Sequence, residues 1–208
     1  MGAAVLREKL TVEQYLRDEK TSVDKRQYFR GEVFCMAGGS PAHSLITANV
    51  IGEFRAALRG SKCRVYDSNL RIGIPRTTLY TYPDASVICG PPEYDPLDSN
   101  RQTVLKPKLL VEVLSPATEA YDRGGKFASY RQIDSLQEYL LLSQDAARAE
   151  TFLRQPDGAW RYLAVFGAEA FVQLASLGVQ VRLAELYAGV EFVAPETRSG
   201  EEMPPKAK

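Results

Sequence analysis

Two carboxylates in this sequence have neighbours that suit a site for a divalent cation. Residues 110–114 are apolar except for Glu112, a pattern typical of a strand that is covered on both faces. A buried carboxylate is costly unless a cation compensates its charge. Asp84 follows Pro83 at the start of another predicted strand, 28 positions earlier (112 − 84). Carboxylates on neighbouring strands can share Mg²⁺, which prefers oxygen ligands.

A lysine follows this pair at a distance that places it on the next predicted helix. Lys126 lies 14 positions after Glu112 (126 − 112). A lysine beside a metal site can orient or activate a metal-bound water, or stabilise charge that develops on a phosphoryl group. The backbone carbonyl of Val113 is a candidate further ligand. Asp84, Glu112 and Lys126 therefore indicate metal-assisted hydrolysis of a phosphodiester bond, with the two acids as metal ligands.

Each of these residues also has a purely structural interpretation. Glu112 can be paired with an arginine or held by backbone donors, and an aspartate after proline often only begins a strand. Lys126 on a helix is typical of a solvated surface. His43 is the single histidine and lies near a predicted helix start, where packing is the more common role. No nucleophile-elbow motif accompanies it, so a Ser/His/Asp mechanism is not favoured.

The elements that must position these residues begin with a capped helix. Thr11 with Gln14 three residues later forms a capping box, which predicts a short helix. Residues 27–36 are rich in aromatic and β-branched side chains, which predicts a strand with Gly31 as a bend or bulge. Ser40 and Pro41 are typical of the first positions of a helix, here running to about Leu58.

Most of the remaining pattern is that of strands. The Glu112 strand is followed by a predicted helix over residues 118–133, in which Tyr121 and Tyr130 are expected to pack rather than to touch a substrate. The other predicted strands are 63–66, 69–74, about 84–89, 138–143, 148–154, 160–166, 171–174 and 179–181, before a helical turn at 183–187. Helices interspersed among groups of strands predict an α/β or α+β fold.

Length and composition limit the class of protein. The 208 residues predict one domain over residues 1–194, and the polar residues 195–208 predict a disordered tail. The 26 basic and 26 acidic residues balance, so a nucleic-acid site would have to be a local patch. Cys35, Cys63 and Cys89 form no CxxC pair, which predicts buried free thiols in a reducing compartment. No signal peptide or membrane span is evident, so a cytoplasmic protein without membrane contact is expected.

Three segments together resemble a known family. Residues 82–84, 111–116 and 121–127 resemble those of the Uma-two family of restriction-endonuclease-like proteins, part of the PD-(D/E)XK nuclease superfamily. His43 and residues 31–32, 36–38 and 138–139 also fit the family pattern, and the resemblance extends over roughly residues 10–187. It implies a restriction-endonuclease-like core, in which a mixed central β-sheet is flanked by helices.

The resemblance also implies roles for single residues. Asp84 matches the aspartate of the Pro-Asp motif and Glu112 the acid of the second motif. The superfamily has lysine two residues after that acid, where this sequence has Leu114, and the family resemblance transfers the lysine role to Lys126. Glu32 is carried over as a candidate additional carboxylate near the metal. Mg²⁺, with Mn²⁺ as a substitute, is the cofactor implied.

The function predicted is that of a metal-dependent DNA endonuclease. Arg71, Arg123 and Arg131 are candidates to contact backbone phosphates, and a homodimer would suit the cutting of two strands. One alternative is a catalytically silent nucleic-acid-binding or interaction protein with the same fold. Another is a metal-dependent hydrolase of a small phosphorylated substrate. A fold does not by itself select among these functions.

Overall fold

The chain begins with a helix and a hairpin in the computed structural model, which describes residues 9–36 and 38–192. Helix α1 spans Val12–Glu19 and has the predicted capping box at Thr11. Strands β1 (Arg26–Phe29) and β2 (Glu32–Cys35) pair antiparallel. The prediction of one bent strand over residues 27–36 was wrong, because Arg30 and Gly31 both have positive φ, at 50° and 92°, and reverse the chain.

Helix α2 spans Pro41–Ala57 and is the longest helix described. Ser40 caps it by accepting a hydrogen bond from the backbone N–H of His43 at 3.1 Å, and Pro41 occupies the first turn, as predicted. Its predicted core face is confirmed for Ile46, Val50 and Phe54, which are fully buried. Leu45, from the same predicted face, is 37% exposed.

Most later elements are strands, and the predicted mixed sheet is confirmed. They are β3 (Cys63–Asp67), β4 (Arg71–Ile74), β5 (Leu79–Thr81), β6 (Ala85–Cys89), β7 (Thr103–Val104), β8 (Leu109–Leu114), β9 (Glu138–Ser143), β10 (Arg148–Arg154) and β11 (Trp160–Phe166). Six of them form a sheet in the order β11-β10-β9-β8-β6-β3. Within it β8 and β9 run parallel and the other neighbours antiparallel.

A second sheet and a terminal hairpin complete the described chain. The second sheet has the order β2-β1-β5-β4-β7. The hairpin consists of β12 (Phe171–Leu174) and β13 (Val179–Arg182) and leads into α5 (Leu183–Leu186). The boundary at residue 194 and the tail at residues 195–208 lie outside the described residues.

Strand β8 is the centre of the fold, and all six of its residues are buried, as its apolar pattern predicts. Leu109, Val111 and Val113 join the core that includes α2 and the terminal hairpin. Leu110 and Leu114 join a second core, which includes residues of the second sheet. Because side chains alternate along a strand, Glu112 belongs with this second set.

The helical segment after β8 contains an irregular turn. Helix α3 (Glu119–Tyr121) and helix α4 (Phe127–Tyr130) are joined by a π-helical turn, Asp122–Lys126. The helix predicted over residues 118–133 therefore exists in shortened form, and Gly124 and Gly125 lie in its π turn. Such turns are uncommon and are often found at functional sites.

The expectation of three free thiols was wrong for two of the cysteines. Cys63 and Cys89 occupy directly opposite positions on β3 and β6, and they form a disulfide. Their separation of 26 residues does not reveal this pairing, because only the register between the two strands brings the sulfur atoms together. Cys35 is free but exposed, so the argument from buried thiols to a reducing compartment does not hold.

None of the helices in the described part of the chain has the length and hydropathy needed to cross a bilayer.

Candidate active site

A cleft of about 570 Å³ opens where the carboxylates of the two predicted strands meet. Asp84, Glu112 and Lys126 all line it. Its walls are formed by strand β8, the residue before β6, the π turn, the start of α2 and the end of β2. The structure therefore brings the three residues of the sequence hypothesis to one cavity.

Strand register places the two predicted metal ligands side by side. Strands β6 and β8 are antiparallel, and Ala85 pairs with Val111, so Asp84 and Glu112 occupy the next opposing positions. Asp84 Oδ2 accepts a hydrogen bond from the backbone N–H of Val113 at 2.7 Å. This bond ties the residue before β6 to the strand that carries Glu112.

Lys126 reaches Glu112 from the π turn. Its Nζ lies 2.8 Å from Glu112 Oε1 and 3.1 Å from Asp122 Oδ1. All three side chains are almost fully buried, with exposed residue fractions of 5%, 4% and 2% for Lys126, Glu112 and Asp122. Leu114, at the position where the resemblance led us to look for a lysine, packs in the core instead. The helix after β8 thus supplies an ammonium group that the strand does not.

Burial controls the ionisation of this group. Burial raises the pKa of Glu112 from its ordinary 4.5 to about 8; Lys126 opposes the rise, while Asp84 and Asp122 add to it. Burial alone would lower the pKa of Lys126, but Glu112 and Asp122 outweigh it and raise that pKa. Three carboxylates thus face one ammonium, and a bound cation would reduce their mutual repulsion.

The hydrogen-bond pattern of the two carboxylates fits a divalent cation. Lys126 and Tyr130 both contact Glu112 Oε1, and Val113 and His43 both contact Asp84 Oδ2. Within the described residues, no hydrogen bond is made to the second oxygen of either carboxylate. Neither of these oxygens is among the completely buried polar atoms that lack a partner, so both remain accessible to a ligand. No group of three or more His, Cys, Asp or Glu side chains in the described ranges is arranged to hold a metal ion. Two carboxylates completed by waters are the ligand set that Mg²⁺ accepts.

His43 belongs to the site, although a packing role was expected from the sequence. Its Nε2 lies 3.2 Å from Asp84 Oδ2. This contact raises the pKa of His43, burial opposes the rise, and the charges of Asp84, Glu112 and Asp122 add to it. A single histidine in the first turn of a helix that follows a glycine-rich loop was the available signal. It did not reveal that this turn abuts the start of β6.

Tyr130 was also expected only to pack. It is fully buried, but its hydroxyl donates a hydrogen bond of 2.6 Å to Glu112 Oε1. Tyr121 lines the cleft, and its hydroxyl accepts a hydrogen bond from Gln27 Nε2 at 2.9 Å. The tyrosines of the helical segment therefore hold polar groups of the site in place.

Glu32 is not brought to the cleft. It is exposed on β2 and pairs across the hairpin with Phe29. Phe34 and Cys35 of the same strand do line the cleft. The structure thus presents a different part of β2 to the site.

The arginines expected to contact phosphates have other partners. Arg71 is 2% exposed and donates hydrogen bonds to Asp98, Tyr82 and Thr103, so the expectation for Arg71 was wrong. A buried guanidinium with three partners cannot reach a phosphate without breaking this network. Arg123 binds both carboxylate oxygens of Glu150 and also contacts Glu119.

Arg131 is exposed and lies over the ring of Phe127, 5.3 Å from the ring centroid. It does not line the cleft with the three predicted catalytic residues.

Gly39 has no side chain and so leaves the space that the imidazole ring of His43 occupies. A Cβ atom at Gly39 would lie 2.5 Å from His43 Nδ1, whereas a Cβ at Gly38 would meet nothing within 4 Å. We expect Gly39→Ala to push the imidazole away from Asp84 and so to lower the pKa of His43 toward its ordinary 6.5. An NMR titration of this single histidine measures the change. Gly38→Ala is the matched control, and equal histidine titrations in the two variants would contradict the prediction.

Comparisons with known proteins find a family and relatives that cover most of this chain. A family model described as "Putative restriction endonuclease", Uma2, matches residues 12–184. An uncharacterized protein of Synechocystis, slr1290, is 39% identical over 184 residues, which are 88% of this chain and 94% of that protein. A second uncharacterized Synechocystis protein, sll1609, is 30% identical over 170 residues, 82% of this chain and 95% of its own length.

A solved structure has the same fold. It is the crystal structure of "a putative nuclease belonging to DUF820" from Anabaena variabilis, with a TM-score of 0.69. The match covers 86% of this chain and 97% of that chain, at 16% sequence identity. At this identity the comparison supports the fold.

Proposed function

Because the chain belongs to the Uma2 family of restriction-endonuclease-like proteins, we propose that it is a metal-dependent DNA endonuclease. The observation that carries this proposal is the opposition of Asp84 and Glu112 across β6 and β8, with Lys126 Nζ 2.8 Å from Glu112. The fold shared with the Anabaena protein, described as "a putative nuclease", supports it. The predicted homodimer and the cytoplasmic location stay predictions.

Asp84 and Glu112 would hold the metal through the oxygens that accept no hydrogen bond from residues 9–36 and 38–192. A bound Mg²⁺ or Mn²⁺ would supply a Lewis acid for the phosphate oxygens and a water of lowered pKa. Tyr130 and Val113 hold the other oxygens of the two carboxylates, at 2.6 and 2.7 Å, and so orient them. Orientation of this kind lowers the cost of ordering the site during reaction.

Lys126 would stabilise negative charge on the scissile phosphate. Because its pKa is raised, it is an ammonium throughout the neutral range. Its burial reduces screening by water, which strengthens its interaction with an oxyanion. The π turn and Asp122 keep it directed at the site.

A catalytically silent nucleic-acid-binding protein is the second candidate. The observation in its favour is Leu114, since the superfamily lysine is missing from β8. The two candidates differ in one respect that can be measured, which is metal-dependent cleavage.

We expect the wild-type protein to cleave DNA with Mg²⁺ or Mn²⁺ and to stop when the metal is chelated. Supercoiled plasmid and short oligonucleotides are the substrates to assay. Glu112→Gln should be inactive because one metal-binding carboxylate is lost, while Glu93→Gln, at an exposed ion pair with Lys106, should retain activity. Absence of cleavage in all metals, combined with tight DNA binding, would refute the endonuclease and support the silent binding protein.

A further inference from the structure

One part of the cleft wall is aromatic and apolar rather than charged. Phe34, at the end of β2, lines the cleft and is 46% exposed. Cys35 and Met36 continue this lining, and Tyr121 and Pro116 belong to the same cleft. An exposed phenylalanine beside buried catalytic groups is unlike the scattered apolar residues of an ordinary surface.

The same cleft is poor in cations. Among the described residues that line it, Lys126 is the one lysine or arginine, and it is already bound to Glu112 and Asp122. Proteins that bind duplex DNA along its backbone neutralise several phosphates with Lys and Arg. Proteins that bind unpaired nucleotides use aromatic side chains, on which bases stack. The lining therefore favours recognition of a base over recognition of a duplex backbone.

The size of the cleft agrees with one nucleotide. Its volume of about 570 Å³ lies in the range of small-molecule sites, roughly 300–1,000 Å³, and is far below that of a duplex segment. An enzyme that places a nucleotide in such a pocket acts on single strands or must extrude the base, and unpaired nucleotides cost least to extrude.

We propose that Phe34 stacks on an unpaired base next to the scissile phosphate, so that the substrate is single-stranded or locally unpaired DNA. This inference rests on the proposed nuclease function and specifies its substrate class. Phe34 is a positioning and specificity residue in this account, and Asp84, Glu112 and Lys126 carry the chemistry. Gln27 holds Tyr121 at the same wall through a hydrogen bond of 2.9 Å.

The test compares two phenylalanines of nearly equal exposure. Phe34 is 46% exposed in the cleft, and Phe171, on β12, is 47% exposed outside it. Wild type, Phe34→Ala, Phe34→Trp and Phe171→Ala would be titrated by fluorescence anisotropy against a DNA single strand, the same strand in a duplex, and a duplex with one unpaired base. Each unpaired substrate would carry one 2-aminopurine: at the unpaired position of the duplex, and at the same position of the single strand. The emission of this base is quenched by stacking. Binding would be measured once with a chelator and once with Ca²⁺ in place of Mg²⁺, so that the DNA is not cleaved during the titration.

We expect wild type to bind the unpaired substrates more tightly than the duplex. Phe34→Ala should weaken binding to them by about 5- to 100-fold, the range for one stacked base, and abolish the quenching. Phe34→Trp should retain both, and Phe171→Ala should behave as wild type. Equal affinity for paired and unpaired DNA, or the same loss in Phe34→Ala and Phe171→Ala, would overturn the inference. Association of protein copies that is lost in Phe34→Ala, without a change in DNA binding, would show instead that a second copy covers this wall.

Failure of this inference is distinguishable from failure of the proposed function. Metal-dependent cleavage without preference for unpaired DNA overturns the role of Phe34 and leaves the nuclease. Stacking on Phe34 without cleavage in any metal overturns the nuclease and leaves a protein that binds unpaired bases.

Discussion

Replacement of Lys126 by methionine should lower the free energy of unfolding by about 3–5 kcal/mol at pH 9, the cost of leaving a buried charge without its partner. Lys126 contacts Glu112 at 2.8 Å and Asp122 at 3.1 Å, and all three are buried. Methionine keeps the packing of the side chain but removes its charge. Urea denaturation at fixed pH measures the loss.

The loss of stability caused by this substitution should be larger at high pH than at low pH. The pKa of Glu112 is raised from 4.5 to about 8 in the folded protein, so its contribution to stability is fully present below pH 4.5 and is lost as pH rises through 8. Lys126 opposes this rise in the pKa. Without it the pKa rises further, so the loss of stability continues to a higher pH. Because the titrations of the two proteins diverge only above pH 8, we expect Lys126→Met to lose more stability at pH 9 than at pH 5, by up to about 1.4 kcal/mol.

Two further variants test the physical reason. Lys106→Met removes a lysine whose side chain is 59% exposed in an ion pair with Glu93, and it should change stability by less than about 1 kcal/mol. Lys126→Met combined with Glu112→Gln removes both charges of the buried pair and should recover much of the lost stability. No recovery in the double variant would show that the pair with Glu112 does not account for the loss, and would leave packing or the contact of Lys126 with Asp122 as its cause.

Asp84→Asn should reduce cleavage by about 100- to 1,000-fold or more while the fold is kept. An asparagine oxygen can still accept the hydrogen bond from Val113, which Asp84 accepts at 2.7 Å. The charge that would bind a metal and stabilise the transition state is lost, and such losses reach this magnitude. Cleavage rates and calorimetric titration with Mn²⁺ measure the two effects.

The metal-free stability of this variant separates a functional residue from a structural one. The charge of Asp84 raises the pKa of Glu112, so its removal relieves repulsion at the site. We expect Asp84→Asn to have a Tm equal to or above that of wild type without metal, and to lose the stabilisation that metal gives wild type. Asp134→Asn, at an exposed ion pair with Arg76, is the control that should keep cleavage and metal binding. A large drop in Tm without metal would indicate that Asp84 is chiefly structural.

Metal affinity should also rise with pH. A divalent cation binds the ionised form of Glu112, whose pKa is about 8. Proton release on binding, measured by calorimetry in buffers of different ionisation enthalpy, should therefore be largest below pH 8 and vanish above it. It should be absent in Glu112→Gln.

The sequence sufficed to predict the helix starts, the buried strand β8 and the residue with the largest free-energy cost of burial, Glu112. The capping box at Thr11 and the Ser40–Pro41 helix start depend on neighbours within one turn, so local spacing suffices to identify them. The burial of β8 follows from its apolar composition, and the need of Glu112 for a partner follows from the cost of burying charge. Resemblance of motifs then selected Asp84 and Lys126.

Contacts between distant parts of the chain depended on tertiary structure. The register of β6 against β8 brings Asp84 opposite Glu112, and the register of β3 against β6 pairs Cys63 with Cys89. A register depends on the packing of whole strands, which a short window of sequence does not contain. The disulfide was missed for this reason.

The sequence by itself determined which buried charge needs a partner of opposite charge. It has Glu112 within an apolar strand, and a buried carboxylate requires a cation beside it. Tertiary structure alone decided how that requirement is met. The π turn directs Lys126 to Glu112, the start of α2 brings His43 to Asp84, and the interior takes Arg71 away from the surface. The physical reason is that burial and partner choice are properties of three-dimensional packing, whereas composition and spacing limit only which groups need partners.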